Sequence, residues 1–492
     1  MLRRPFSVLR AELAASYAPD LQKWLILAPI IGATTGLLIT ALILIILDKM
    51  WPAVLGYFLH HHWAIVPGLV FGFVVTGLIM QFFTRDPDEH STEEIIRSYH
   101  ERQGGIDMRP FGAKLLAAIT TVGFGGSAAL EGPSIYGGGA IGSWLWTKLR
   151  RFRLEPRDRR IMLICGAAAG MGAVFRAPLT GLVFAIEVPY IDDLAYEALL
   201  PSLIASVVAY AVVASLLGAK PVFDFPSPSV FTGKDLLWCA LLGVAMGLIV
   251  MAFAVVFRRF RTFVVRWKIQ HWLKLVLGGF VTGLCGLVFL MMFHGSLVPI
   301  GPNYEAVGEV LGKYHNTFEL AVFSVLKLVA TLFSLGTGGV SAMFVPLFLT
   351  GGTFGIAFAQ SIVHSSSFEL YAAAGMAAFI AGGYKTPLAA VVFVAEATGG
   401  HAFIIPSLIA AAVAYAVSGE ASVSGDQRRG HEAGEKESGH RASNYERPTA
   451  QAGGKRPASV SNLHNQEKQD VNPQGVHEVP IEGGGVEEGS LP

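Results

Sequence analysis

The chain has 492 residues, 52% of them hydrophobic and 15% charged, and a formal net charge of +1, with a mean hydropathy of +0.51. That balance is too apolar for an ordinary soluble protein and leaves no basic footprint for nucleic acid. The chain therefore reads as a polytopic membrane protein, in which Cys165, Cys239 and Cys285 all fall in apolar runs and argue for buried thiols, not a disulfide framework.

In chain order, residues 1–22 carry Arg3, Arg4 and Arg10 ahead of an amphipathic stretch and lack a small-residue cleavage site. They read as a cytosolic lead-in and not as a signal peptide. Uncharged runs long enough to cross a hydrocarbon core of ~30 Å are predicted at 24–47, 63–84, 198–219, 236–257, after Lys274, and at 397–419. Shorter apolar runs of 10 to 16 residues lie at 115–130, 132–147, 161–175, 177–186, 370–384 and 386–395. Such pieces, broken by Gly, Pro or a charge, predict helices that end inside the bilayer, where free backbone groups must line a cavity or be buried in protein.

His60-His61-His62 has no thiolate or carboxylate cluster beside it and reads as an interfacial loop, so no metal is expected. The Arg-rich stretches 150–160 and 258–266 read as loops anchoring adjacent helices, with lipid-headgroup contact as the alternative. From 419 the composition turns to Gly, Ser, Glu, Lys, His, Gln and Pro. Residues 419–492 are accordingly expected to form a disordered polar tail.

One charge stands out. Between Lys114 and Lys148 lie 33 residues whose sole charged side chain is Glu131, followed by Gly132 and Pro133 and flanked by glycines. A carboxylate inside an apolar run costs about 2.5–3.5 kcal/mol even on the lenient insertion scale, which marks it as functional by default. Pro133 is expected to sit at a helix start, so the acid lies at the positive end of a buried helix. Gly137-x-Gly139-x-x-Gly142 spells a dinucleotide fingerprint but follows no strand, and nucleotide binding is not expected.

The chain also repeats itself. An offset of 213 places Gly123 to Gly126 on Gly336 to Gly339, Pro133 on Pro346, and Gly138, Gly139 and Gly142 on Gly351, Gly352 and Gly355; an offset of 209 places Phe175 to Leu179 on Tyr384 to Leu388 and Glu187 on Glu396. The expected organisation is a first repeat at 23–217, a linker at 218–232 and a second repeat at 233–418, the construction of transporters with discontinuous helices. Glu187 and Glu396 are expected to share a helix-end role, and Arg176 and Lys385 to be structural or snorkelling cations, with attraction of anions toward the pore as the alternative. Two helix N-termini in the interior favour a small anion as cargo.

These residues resemble the CLC family of chloride channels and chloride/proton exchangers over about 20–420. Gly126-Ser127-Ala128-Ala129-Leu130-Glu131-Gly132-Pro133-Ser134 is similar to its Gly-Lys/Arg-Glu-Gly-Pro motif, and Ala342-Met343-Phe344-Val345-Pro346 to its Gly-x-Phe-x-Pro motif. Gly166 to Gly170, Phe175, Ala177-Pro178-Leu179 and Ile186-Glu187 follow a further family stretch. The resemblance implies an all-α fold of two inverted repeats and a homodimer in the cell (inner) membrane with one anion pathway per subunit. It makes Glu131 the gate and assigns anion binding to Gly132, Pro133, Ser134, Phe344, Val345 and Pro346, with no cofactor and no enzymatic activity.

Three departures qualify this. Where the family carries a serine motif the chain reads Asp86-Pro87-Asp88-Glu89-His90-Ser91-Thr92-Glu93-Glu94, leaving His90 or Ser91 as the coordinating candidates. The family's pore tyrosine is missing from 419–424. The proton-transferring glutamate of exchangers is here Val188, which favours passive conduction of chloride or a similar anion over chloride/proton exchange, with a transport-inactive scaffold or sensor as a third possibility.

Overall fold

The computed structural model describes residues 18–151, 154–220, 222–223, 231–293, 296–304, 316–398 and 401–430, and the helices below are numbered within these. The first half comprises α1 (Ala18–Ile43), α2 (Trp51–His60), α3 (Ile65–Phe83), α4 (Ser91–Glu101), α5 (Phe111–Gly123), α6 (Glu131–Leu149), α7 (Pro156–Val174), α8 (Pro178–Glu187) and α9 (Leu199–Leu217). The second comprises α10 (Gly233–Val265), α11 (His271–Met292), α12 (Thr317–Gly336), α13 (Phe344–Phe358), α14 (Phe368–Tyr384), α15 (Pro387–Thr398) and α16 (Ile404–Val417). Extended pairing among the described residues is limited to isolated bridges.

Among the described residues, seven segments are long and apolar enough to cross a membrane: Gln22–His60, His62–Phe83, Tyr196–Leu217, Gly233–Val265, His271–Met292, Thr317–Gly336 and Phe344–Val363. The expected span at 397–419 is corrected: within it a short 3-10 turn (His401–Phe403) precedes α16, a helix of 14 residues. Thr317–Gly336 is not an uncharged run in the sequence, because Glu319 and Lys327 lie within it. Of the short runs, 115–130, 177–186 and 386–395 correspond to the short apolar helices α5, α8 and α15, whereas 132–147 and 161–175 fall on the 19-residue helices α6 and α7.

The two halves are inverted. Trp272 abuts Gly77, Val70 abuts Gly279 and Val66 abuts Gly283, so the index falls along α11 as it rises along α3. Counted by spanning segments, these helices come second in their halves, after Gln22–His60 and Gly233–Val265. A two-fold axis along the membrane normal would make them parallel; antiparallel mates require an axis in the membrane plane.

Small residues let the mates pack alike. A Cβ on Gly142 would lie 1.9 Å from the Met162 carbonyl oxygen of α7, and one on Gly355 would lie 2.1 Å from the Tyr371 carbonyl oxygen of α14. Gly32 and Gly36 of α1 meet Ala205 and Ala209 of α9 in the same way that Gly243 and Gly247 of α10 meet Ala410 and Ala414 of α16. Without water to drive association, such close backbone approach is what holds helices together in lipid.

Glu187 and Glu396 have the shared helix-end role. The Glu187 carboxylate at the end of α8 accepts from Leu388 N at 3.1 Å and Ala389 N at 2.9 Å, at the start of α15. Glu396, near the end of α15, accepts from Leu179 N at 3.0 Å and from Thr180 N and Oγ1 at 2.7 Å, at the start of α8. Each acid caps the other half's helix, where unpaired N–H groups and the dipole favour negative charge. Arg176 and Lys385, immediately upstream, both adopt left-handed φ (51° and 60°), and Lys385 Nζ donates to Ser418 Oγ at 2.5 Å.

The first residues of the expected disordered tail, 419–430, instead fold against the two halves. Residues 1–17 and 431–492 lie outside the described residues, but within 419–430 Ser422, Val423, Ser424 and Gln427 are buried. Gln427 Nε2 donates to Val188 O at 2.9 Å, Tyr190 O at 3.2 Å and Tyr384 O at 2.8 Å, joining the two halves. These residues are held by hydrogen bonds to backbone that the helix ends leave unpaired, so low hydrophobicity does not free them.

Glu396→Ala and Glu187→Ala each remove the acceptor for two helix-start N–H groups and should destabilise the protein by about 1–3 kcal/mol. Thermal unfolding in detergent, followed by tryptophan fluorescence, reads this; an unchanged midpoint for both variants would count against reciprocal capping.

Candidate functional site

Helices α6 and α13 start beside one another at the local two-fold axis. Ala129 and Ala342, mates at the 213 offset, form an antiparallel bridge, with Ala129 N donating to Ala342 O at 3.0 Å. On either side one bond is exchanged between the halves: Ser127 N donates to Ser334 Oγ at 3.0 Å and its mate Val340 N to Thr121 Oγ1 at 3.1 Å. The Gly-rich breaks thus cross each other, and the crossing brings two helix N-termini together inside the protein.

Glu131 is the first residue of α6, two ahead of the expected start at Pro133. Pro133 and Pro346 each occupy the third helical position, where the missing N–H has no intrahelical partner to lose. Phe344 N, at the start of α13, donates to Glu131 Oε1 at 2.6 Å. The acid is 1% exposed, and its Oε2 and the nearby Ser134 Oγ have no hydrogen-bond partner. The carboxylate therefore stands where an anion would bind the terminus of α13.

The residues ahead of the two starts are capped by tyrosines. Leu130 N donates to Tyr304 Oη at 3.0 Å, and its mate Met343 N donates to Tyr384 Oη at 3.1 Å. Each hydroxyl, having accepted one bond, keeps a proton to donate. Phe344 lies within an aromatic shell, with ring centroids 5.4 Å from Phe175, 5.6 Å from Phe184, 5.8 Å from Tyr384 and 4.8 Å from Phe393. Val345 and Gly132 are buried beside it, and a Cβ on Gly132 would lie 3.0 Å from Ser91 Oγ.

His90 and Ser91 do reach the site. Both are buried, His90 Nδ1 lies 3.2 Å from Ser91 Oγ, and they line a cavity of about 40 Å³ with Ser341, Met343, Tyr384 and Ser424. That volume holds one small ion with little accompanying water. Tyr384, absent from the sequence-based candidates, is the hydroxyl-bearing aromatic of this cavity, and its one signal was its place as the repeat mate of Phe175. Val188 is buried at the end of α8, with Gln427 on its carbonyl.

The remaining motifs stand apart. Gly138 and Gly142 pack against the backbone of α7. His60, His61 and His62 are exposed, and no group of three or more His, Cys, Asp or Glu able to hold a metal exists among the described residues. The three cysteines are buried and free.

Inverted repeats, broken helices and an acid at their crossing define an anion-transport class of membrane protein. The chain matches the family described as voltage-gated chloride channel over residues 71–419. It is 29% identical over 431 residues to the chloride/fluoride channel protein of Pseudomonas syringae pv. tomato, covering 84% of this chain and 88% of that one. It is also 29% identical over 307 residues to the H(+)/Cl(−) exchange transporter ClcA of Yersinia pestis bv. Antiqua, covering 60% of this chain and 62% of ClcA, under two thirds of that relative's length. Its fold is similar to a CLC-type fluoride/proton antiporter (TM-score 0.71, 21% identity, covering 84% of this chain and 100% of that one) and to a slow cyanobacterial Cl−/H+ antiporter (0.70, 21%, 80% and 94%). The chain belongs to the voltage-gated chloride channel (CLC) family and is a multi-pass membrane protein.

Tyr304→Phe and Tyr384→Phe each strand a buried N–H at a helix start, which costs about 1–3 kcal/mol. Lowered thermal midpoints for both variants are expected, and wild-type midpoints would remove the tyrosines from the architecture of the site.

Proposed function

We propose that each subunit of a homodimer conducts chloride or a similar small anion passively, with Glu131 as the gate. The observation that carries this is the 2.6 Å bond from Phe344 N to Glu131 Oε1. A tethered carboxylate holds the helix terminus that the permeant anion needs, so ion and side chain compete for one place. Backbone N–H groups of Phe344, Val345 and Gly132 and the partnerless Ser134 hydroxyl supply the coordination, with Pro133 and Pro346 shaping the starts of the two helices and Ser91 adding a hydroxyl from the 40 Å³ cavity. Passive movement is supported by Val188, which carries no proton, and by Gln427, an amide, on its carbonyl.

Exchange of anion for protons is the second reading. It is favoured by the partnerless Glu131 Oε2, which has room in its bonding for a proton, and by the relatives named as exchangers and antiporters. Flux from reconstituted liposomes separates the cases. Uphill proton movement driven by a chloride gradient would replace the channel reading with exchange, and absence of any anion flux would sink both.

The sign of the pH response follows from the competition. Protonation neutralises Glu131, weakens its hold on Phe344 N–H and frees the site, so wild-type flux should rise as pH falls. A charge-assisted hydrogen bond is worth about 1.5–3 kcal/mol, so occupancy by the side chain should fall roughly tenfold or more. Glu131→Gln imitates the neutral acid; its flux should be high and nearly flat with pH, and a retained wild-type pH profile would count against the gate.

A further inference from the structure

The segment that replaces the family's serine motif is held from the opposite half. Arg261, in the last turns of α10, donates through Nη2 to Asp88 O at 2.8 Å and through Nη1 to the Glu93 carboxylate. Those two anchor points bracket His90 and Ser91. Ser91 has a left-handed φ of 61°, which a residue with a Cβ seldom adopts unless its surroundings impose it. Its neighbour in the first turn of α4, Glu94, is fixed separately by Lys114 Nζ at 2.6 Å. Arg261 also stands at a throat: with Glu93, Phe257 and Val423 it lines both the 40 Å³ cavity and a wide vestibule of about 1000 Å³.

We propose that Arg261 is a positioning residue for anion binding: its guanidinium fork fixes the left-handed turn that presents the Ser91 hydroxyl to the ion. This rests on the reading above that Ser91 contributes to the anion site. Attraction of anions by the arginine charge alone would be the simpler role, but Glu93 lies against that charge and offsets it. What Glu93 leaves intact is direction, because a planar fork can hold two acceptors at fixed geometry whereas an ammonium cannot.

Chloride titration calorimetry on the full-length protein in detergent tests this. Ser91→Ala, Arg261→Gln and Arg261→Lys should each weaken chloride binding about fivefold, the effect of one lost hydrogen bond. The Ser91→Ala/Arg261→Gln double variant should bind no more weakly than its weaker parent. Glu93→Gln supplies a second test that spares the arginine: a fork role predicts weaker binding, whereas a charge role predicts tighter binding. Wild-type affinity in Arg261→Lys, additive losses in the double variant, or tighter binding in Glu93→Gln would each overturn the proposal. Absent liposome flux from the wild type would instead overturn the function proposed above, while the binding comparison stands.

Discussion

The structure depends on the need to satisfy two helix starts buried where water cannot reach. An interrupted helix in a bilayer leaves N–H groups bare, and each demands a partner. The hydrogen bond from Phe344 N to Glu131 meets that demand at one terminus with the acid of the other. Tyrosine hydroxyls meet it one residue upstream on both sides, and exchanged serine and threonine bonds secure the crossing segments. Glycines and alanines then let the surrounding helices approach closely enough to keep this polar centre enclosed. The donors that the carboxylate and the hydroxyls satisfy are ones that any other acceptor of negative charge could satisfy in their place.

Much of this was legible in residues. An acid in a long uncharged run, prolines at fixed spacing from glycines, and an offset shared by two motifs pointed to Glu131 and to Phe344 before any coordinates. The offset held more than expected, since residues 213 apart do not merely correspond; Ala129 and Ala342, and Glu131 and Phe344, touch across the axis. The caps by Glu187 and Glu396 were foreshadowed by their correspondence at the 209 offset, though not their crossing between halves. Ser91 could be named only as a candidate, because its position depends on Arg261, more than 150 residues away in sequence. Tyr304 and Tyr384 were invisible for a related reason: each serves the site through one hydroxyl bonded to the backbone of a distant segment, which leaves no periodic trace. The packed residues 419–430 were misjudged because composition reports hydrophobic burial and not hydrogen bonding to exposed helix ends.

The halves share a frame and differ in chemistry. Lys114 pairs with Glu94 at 2.6 Å, while its mate Lys327, equally buried, donates to Gly301 O at 3.2 Å and to Asn303 Oδ1, dipoles rather than a charge. Each lysine fastens a segment reaching the centre: the first the start of α4 beside Ser91, the second the loop carrying Tyr304. Glu131 faces Phe344 in the same spirit, with symmetry setting where the groups stand and divergence setting what they do.

The reciprocal caps have a consequence for origins. A half-length chain ending its short helix in a glutamate could cap a second copy of itself with the same residue it receives the cap from, so one sequence would suffice to close the contact. Two such copies, related by an axis in the membrane plane, would insert in opposite orientations and meet as a self-complementary pair. Fusing them into one gene preserves every capping bond while releasing the two positions at the axis from having to be the same amino acid. Only after that release could one position hold the acid of Glu131 while the other held Phe344, whose backbone N–H opposes it.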